Sequence, residues 1–180
     1  HVASSLRDLR IVIGQFGGMG SITRIVGRDL RAHGSKVITV DELDPSRHAA
    51  AANRHGATIY LGFEAHAEPM ARLSYYSTAG FTSAGGRSLA SRLRHALGPI
   101  DELPTVNVAG MRLPVLRETR MTAVVCSLGP VQRATDSAAA IAAATMVALE
   151  TWAINPTVGV VSYDELDLTP ASGSITPTTA

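Results

Sequence analysis

Residues 115–129 read Val-Leu-Arg-Glu-Thr-Arg-Met-Thr-Ala-Val-Val-Cys-Ser-Leu-Gly (VLRETRMTAVVCSLG). A charged stretch gives way to a largely apolar run, 123–128, which Gly129 and Pro130 close. A short apolar run between turn signals reads as a strand covered on both faces, as in a parallel sheet. Three earlier runs have the same character: 9–14 (LRIVIG), 36–40 (KVITV) and 57–63 (ATIYLGF). Helical patterns separate them. After the first run comes a glycine loop, Gln15 to Gly20. A helix is then predicted with Ser21 as its cap, Ile22, Ile25, Val26 and Leu30 on its apolar face, and Gly34 at its end. After the second run, Asp44 reads as an N-cap with Pro45 at the first helical position, and Gly56 stops that helix. Alternating strands and helices imply an α/β domain with a mostly parallel sheet of about five to six strands and helices on both faces.

The remaining segments extend this pattern. Residues 73–76 are expected to form a fourth, edge-type strand, 83–86 a loop, and 87–97 a helix stopped by Gly98-Pro99. Residues 107–116 read as extended, with Pro114 favouring an edge or a bend. Asp136 is expected to cap a long Ala-rich helix that reaches about Ile154. Residues 158–163 are expected to add a short strand, and 169–180 to be disordered. The domain is therefore placed at 9–154, between an extension at 1–8 and a partly disordered tail at 155–180.

Composition narrows the function classes. Sixteen Lys and Arg against fifteen Asp and Glu leave a net charge of +1, no general basic field for nucleic acid. Aromatic residues at 4% supply few base-stacking surfaces. One cysteine, Cys126, excludes an internal disulfide framework and a cysteine-based zinc module. It lies within an apolar strand and reads as an inert core thiol. The Ala- and Thr-rich stretch 137–149 is too short to cross a bilayer and reads as a buried helix. A chain that opens on His1 is expected to be a fragment or a processed product. Residues 1–9 carry no apolar signal-peptide core. The compartment is left open by the sequence, with the cytoplasm favoured and the cell wall or extracellular space as the alternative.

Few residues stand out chemically. Gly14, Gly17, Gly18 and Gly20 do not form GxGxxG, and no GK[ST] follows, so the loop reads as turn chemistry rather than a nucleotide site. Anion binding at the helix start near Ser21 is its next reading. Glu64, His66 and Glu68 alternate past the third strand; if the strand continues they share one face, a partial metal set. The more ordinary reading is a solvated strand end. His48 and His55 lie seven apart, with Arg47 and Arg54 one residue earlier, and read as a solvated helix face. Ser127 has no GxSxG context.

Taken in order, several stretches resemble the amidase-3 type N-acetylmuramoyl-L-alanine amidases, zinc enzymes that cut the bond between muramic acid and the peptide stem of peptidoglycan. Ile11-Val12-Ile13 with Gly17-Gly18 is similar to the family's first strand and its PGHGG loop. Residues 52–57 (ANRHGA) and the TIYLGF that follows resemble ANxxGAD and the strand ending in SIHAN. Tyr75-Tyr76 and Ser88-Leu89-Ala90 resemble the middle strand and helix. Residues 115–129 resemble VLRxTxMPAVLVExGF, the most specific piece. The resemblance spans roughly residues 10–154 and implies the same α/β fold, a phosphorylase/hydrolase-like architecture.

The departures bear on activity. The family holds zinc with two His and one Glu and uses a second Glu as catalytic base. The first His falls on Phe16 or Gly17. The loop bearing the ligand Glu is missing between Gly18 and Ile22. The second His falls on Glu64, and the catalytic Glu on Ser127. The resemblance therefore implies a catalytically inactive, metal-free pseudoamidase. The degenerate CwlM-like domains of actinobacteria are of this kind and accompany control of peptidoglycan precursor synthesis. The expected binding groove is lined by Gln15, Phe16, Glu64, His66, Arg117 and Ser127, with no cofactor. Its expected partner is a protein of cell-wall synthesis or a peptidoglycan precursor, and neither nucleic acid nor a membrane span is expected. The alternative is a live zinc amidase whose site is rebuilt from Glu64 and His66 with a further His such as His33 or His48. A passive peptidoglycan-binding module is a third reading.

Overall fold

The computed structural model describes residues 6–156. A one-turn 3-10 helix, Leu6–Asp8, leads into β1 (Arg10–Gln15), α1 (Gly20–Ala32), β2 (Lys36–Asp41), α2 (Pro45–Arg54) and β3 (Ile59–Ala65). Then follow β4 (Met70–Thr78), β5 (Phe81–Thr82), α3 (Ala84–Leu97), β6 (Val106–Met111), α4 (Pro114–Glu118) and β7 (Thr122–Gly129). The described chain closes with α5 (Val131–Asp136) and α6 (Ala138–Ile154). The expected strand at 158–163 and disorder at 169–180 lie outside the described residues.

The strands form one seven-stranded sheet in the order β2-β1-β3-β7-β4-β5, with β6 also paired to β4. The pairs β1–β2, β1–β3, β3–β7 and β4–β6 are parallel; β4 runs antiparallel to β7 and β5. The sheet is thus α/β and mostly parallel, as the four apolar runs require. Side chains alternate across it. One face carries Ile11, Ile13, Leu61, Phe63, Cys126 and Leu128 against α1, α3 and α6. The other carries Val12, Tyr60, Ala123 and Val125 against α2 and α4. Each large side chain fully buried in these layers contributes about 1.5–3 kcal/mol from lost apolar exposure.

Five local expectations change. Residues 73–76 belong to a nine-residue strand inside the sheet, between β7 and β6, and not at an edge. Pro114 does not bend a strand: β6 ends at Met111, and Pro114 opens α4, where its fixed φ suits the first helical turn. Residues 83–86 are no loop, because Ser83 caps α3 by accepting from the Gly86 N–H at 3.1 Å. Asp136 ends α5, with its carboxylate accepting from Gln132 at 2.8 Å, and α6 starts separately after Ser137. Ser21 lies inside α1; Met19 takes the cap position with no side-chain bond.

Helix α6 lies against both α1 and α3, which explains why it is apolar around most of its circumference. Its alanines let the neighbouring helices approach closely, and Trp152 donates its indole N–H to the Gly85 carbonyl at 3.1 Å. Among the described residues no helix is long and apolar enough to cross a membrane.

Candidate functional site

β1, β3 and β7 run parallel and finish at the same margin of the sheet, where β4 begins in the opposite direction. Open α/β sheets place their ligand sites at such strand ends. Register sets Glu64 of β3 opposite Ser127 of β7, and Ser127 opposite Arg72 of β4. Directly paired residues point to the same face, so the three side chains form a row. Ser127 is fully buried, and its hydroxyl donates to Glu64 Oε1. Arg72 Nη2 stands 3.9 Å from the same oxygen. The Glu64 and Arg72 side chains are 34% and 31% exposed, so the row meets solvent on one side. Arg72 Nε is buried and has no hydrogen-bond partner among the described residues.

Beside this row lies a stacked group. Phe16 continues from β1, its N–H donating to the Phe63 carbonyl at 3.0 Å. Its ring stacks on His48, with centroids 4.1 Å apart and planes 6° from parallel. His48 is fully buried, not on a solvated helix face as its spacing suggests; His55 is exposed. His48 Nε2 lies 2.7 Å from the Glu42 carbonyl, and Nδ1 lies 2.8 Å from the Tyr60 hydroxyl. A carbonyl only accepts, so Nε2 carries the hydrogen and Nδ1 is left to accept from Tyr60. Gly14 makes room for the pair: a Cβ there would lie 2.2 Å from His48 Nδ1 and 2.7 Å from the Tyr60 oxygen. Burial, then the nearby Cys126 and Glu64 charges, pushes the Tyr60 phenol far above its ordinary range.

The structure brings together part of the expected groove. Glu64 and Ser127 are bonded to each other, and Phe16 lies at the neighbouring strand end, stacked on His48. Gln15 turns away, its Oε1 accepting from the Met19 N–H at 3.0 Å near the start of α1. Arg117 is exposed on α4, 3.8 Å from Glu118. His66 lies past the end of β3 and its Nδ1 accepts from the Glu68 N–H at 2.9 Å, so 64, 66 and 68 do not continue as one strand face. Arg72, His48 and Tyr60 were not in the sequence-based groove. Arg72 is in period-two step with Ser74 and Tyr76, a signal readable only once the strand is extended upstream to Met70.

A zinc site of two His and one Glu does not fit these residues. Among the described residues no three His, Cys, Asp or Glu side chains converge on one point. Both ring nitrogens of His48 are engaged. His33 caps the far end of α1, its Nδ1 2.8 Å from the Asp29 carbonyl and its Nε2 4.0 Å from Glu150. Neither can join Glu64 and His66 in the rebuilt site. Cys126 is buried on the opposite face of β7, away from Glu64 and Ser127; burial foremost, and then Glu64, push its thiol well above the ordinary range.

No family model and no curated protein matches the sequence. Solved structures do match. The amidase AmiC2 of Nostoc punctiforme superposes with a TM-score of 0.60 at 19% identity, over 78% of this chain and 97% of its own. The N-acetylmuramoyl-L-alanine amidase of Clostridium difficile 630 gives 0.64 at 13% identity, over 81% and 97%. The CwlD amidase of Clostridioides difficile, solved in complex with the GerS lipoprotein, gives 0.63 at 11% identity, over 79% and 98%. At these identities the likeness speaks for architecture: the chain has the amidase-3 fold of the N-acetylmuramoyl-L-alanine amidases.

Proposed function

We propose that this chain is a metal-free pseudoamidase that acts by binding, in the regulation of peptidoglycan synthesis, through a protein partner or a peptidoglycan precursor. The observation that carries this reading is the bond between Ser127 and Glu64. These are the two positions at which the family resemblance puts the catalytic Glu and the second zinc-binding His. A hydroxyl–carboxylate pair beside Arg72 leaves one carboxylate where a catalytic zinc needs three protein ligands and an open position for water. The same row offers hydrogen-bond acceptors and a guanidinium to a polar ligand. Protein partnership is in keeping with the lipoprotein complex of the CwlD amidase.

The test is incubation of the zinc-supplemented chain with muropeptides, alongside an active amidase of the same fold. No release of peptide stems is expected. Release that chelation abolishes would overturn the reading. Sedimentation with purified sacculi separates the passive wall-binding module, which pellets with them, from the regulator, which stays in solution.

A further inference from the structure

Among the described residues β2 forms an open edge of the sheet, paired with β1 alone, and Val37, Ile38 and Val40 are only half-buried. Ile38, Val40, Ala50 and Ala51 line a groove of about 450 Å³ between β2 and α2. Through Ile38 and His55 it meets a second hollow of about 200 Å³, bordered by Arg10 and Lys36. Arg10 stands directly opposite Lys36 in the β1–β2 register, and like charges so placed repel. Among the described residues no carboxylate pairs with Arg10, Lys36 or Arg54. A lone edge lysine deters strand addition. Here three cations without a carboxylate partner sit at one end of a groove of mixed polar and apolar lining, and Asp41 and Glu42 sit at the other, Glu42 already 3.5 Å from Arg47. That polarity selects an occupant that is apolar along β2 and acidic at the Lys36 end.

The chain contains such a segment. Residues 158–167 read VGVVSYDELD, a β-branched stretch followed by Asp164, Glu165 and Asp167. All sixteen Lys and Arg and twelve of the fifteen Asp and Glu lie in residues 1–156, a net +4, whereas 157–180 carries −3. Laid antiparallel to β2, the segment puts its valines over Ile38 and Val40 and its acids against Lys36 and Arg10. Laid parallel, it would set the acids against Asp41 and Glu42.

The antiparallel arrangement excludes the chain's own tail as occupant. Helix α6 ends at the Lys36 end of the sheet: Glu150 lies 4.0 Å from His33, three residues before Lys36. Asn155 is held over α3 by Arg92 at 2.9 Å, away from β2. Val158 would have to start at the opposite end of β2, a six-residue strand about 20 Å long, yet the two steps from Pro156 span about 7 Å. We propose that residues 158–167 of one copy dock as an antiparallel strand on β2 of a second copy, with Asp164, Glu165 and Asp167 answering Arg10 and Lys36.

Sedimentation velocity of the full chain up to about 100 μM tests this, a range that captures a weak specific contact. We expect self-association weakened at least about tenfold by Arg10→Glu with Lys36→Glu, and equally by Asp164→Lys with Glu165→Lys and Asp167→Lys. Combining the two reversals restores association, an outcome that misfolding cannot produce. A chain monomeric throughout, or an oligomer indifferent to both reversals, overturns the proposal. So does failure of the combined variant to regain association. An acidic segment of a different protein that associates with the groove while the chain stays monomeric also contradicts it.

Discussion

The Ser127 hydroxyl donates to Glu64 Oε1 across two adjacent parallel strands, and Arg72 approaches the same oxygen from the third. A fully buried hydroxyl facing a carboxylate makes a charge-assisted bond, stronger than its neutral counterpart. The guanidinium, at 3.9 Å and about a third exposed, adds less. Ser127→Ala is expected to lower unfolding free energy by about 1–3 kcal/mol, and a double-mutant cycle with Glu64→Gln to give a coupling of about 1 kcal/mol. Arg72→Ala coupled to Glu64→Gln should give no more than about 1 kcal/mol. Urea unfolding of the three single and two double variants, beside the parent chain, measures both. A larger Arg72 coupling would show that the ion pair, not the hydroxyl, holds the carboxylate.

Gly14 is a steric requirement of the His48–Tyr60 pair. A methyl group there meets the imidazole at 2.2 Å, and both rings are packed in place by Phe16 and α2. Gly14→Ala is expected to cost about 1–3 kcal/mol through overpacking, whereas Gly20→Ala, with 3.6 Å of space, should cost less than about 1 kcal/mol. Thermal unfolding compares them. Equal effects would mean that the imidazole yields readily.

Tyr60 gives the fold an alkaline limit. Its phenol keeps its proton in the folded chain well above the ordinary range, and burial is the main cause. In the unfolded chain it ionises near pH ~10. Above that value the folded state binds the extra proton, so its contribution to stability, complete below pH ~10, falls by about 1.4 kcal/mol per pH unit. Tyr60→Phe removes this slope while lowering stability at neutral pH, where His48 loses its donor. Urea midpoints at pH ~9 and ~11 reveal the difference in slope. Parallel pH dependence in both chains would contradict it.

Cys126 should be chemically silent. The thiol is buried and its ionisation is suppressed by burial and by the Glu64 charge. Reaction with a thiolate-specific disulfide reagent near pH 8 is expected to be at least about a hundredfold slower in the folded chain than in denaturant. Fast labelling without unfolding would mean that β7 opens locally.

The strands β1, β2, β3 and β7 are legible because each is a continuous apolar run bounded by glycine, proline or charge. The start of α2 is equally plain: Asp44 accepts from the Ser46 N–H at 2.9 Å, as its place before Pro45 implies. β4 is not legible as an inner strand, since its burial depends on β6 and β7, which follow much later in the chain. His48 looks solvated by helical spacing, and only the absent side chain of Gly14 and the stacked Phe16 ring make its burial visible. Within the candidate site, Glu64 and Ser127 were readable through the family resemblance. Arg72 was not, because nothing local marks an arginine at the start of a strand as the neighbour of a carboxylate eight residues earlier. Gln15 and Arg117, also expected in the groove, engage other partners, the Met19 N–H and Glu118.

The central claim is that the scaffold lacks a catalytic metal centre. Metal analysis of the full chain after zinc loading and exhaustive dialysis tests it most directly. We expect far less than one zinc per chain, unchanged by Glu64→Ala or His66→Ala. About one zinc per chain, lost in either variant, would contradict it.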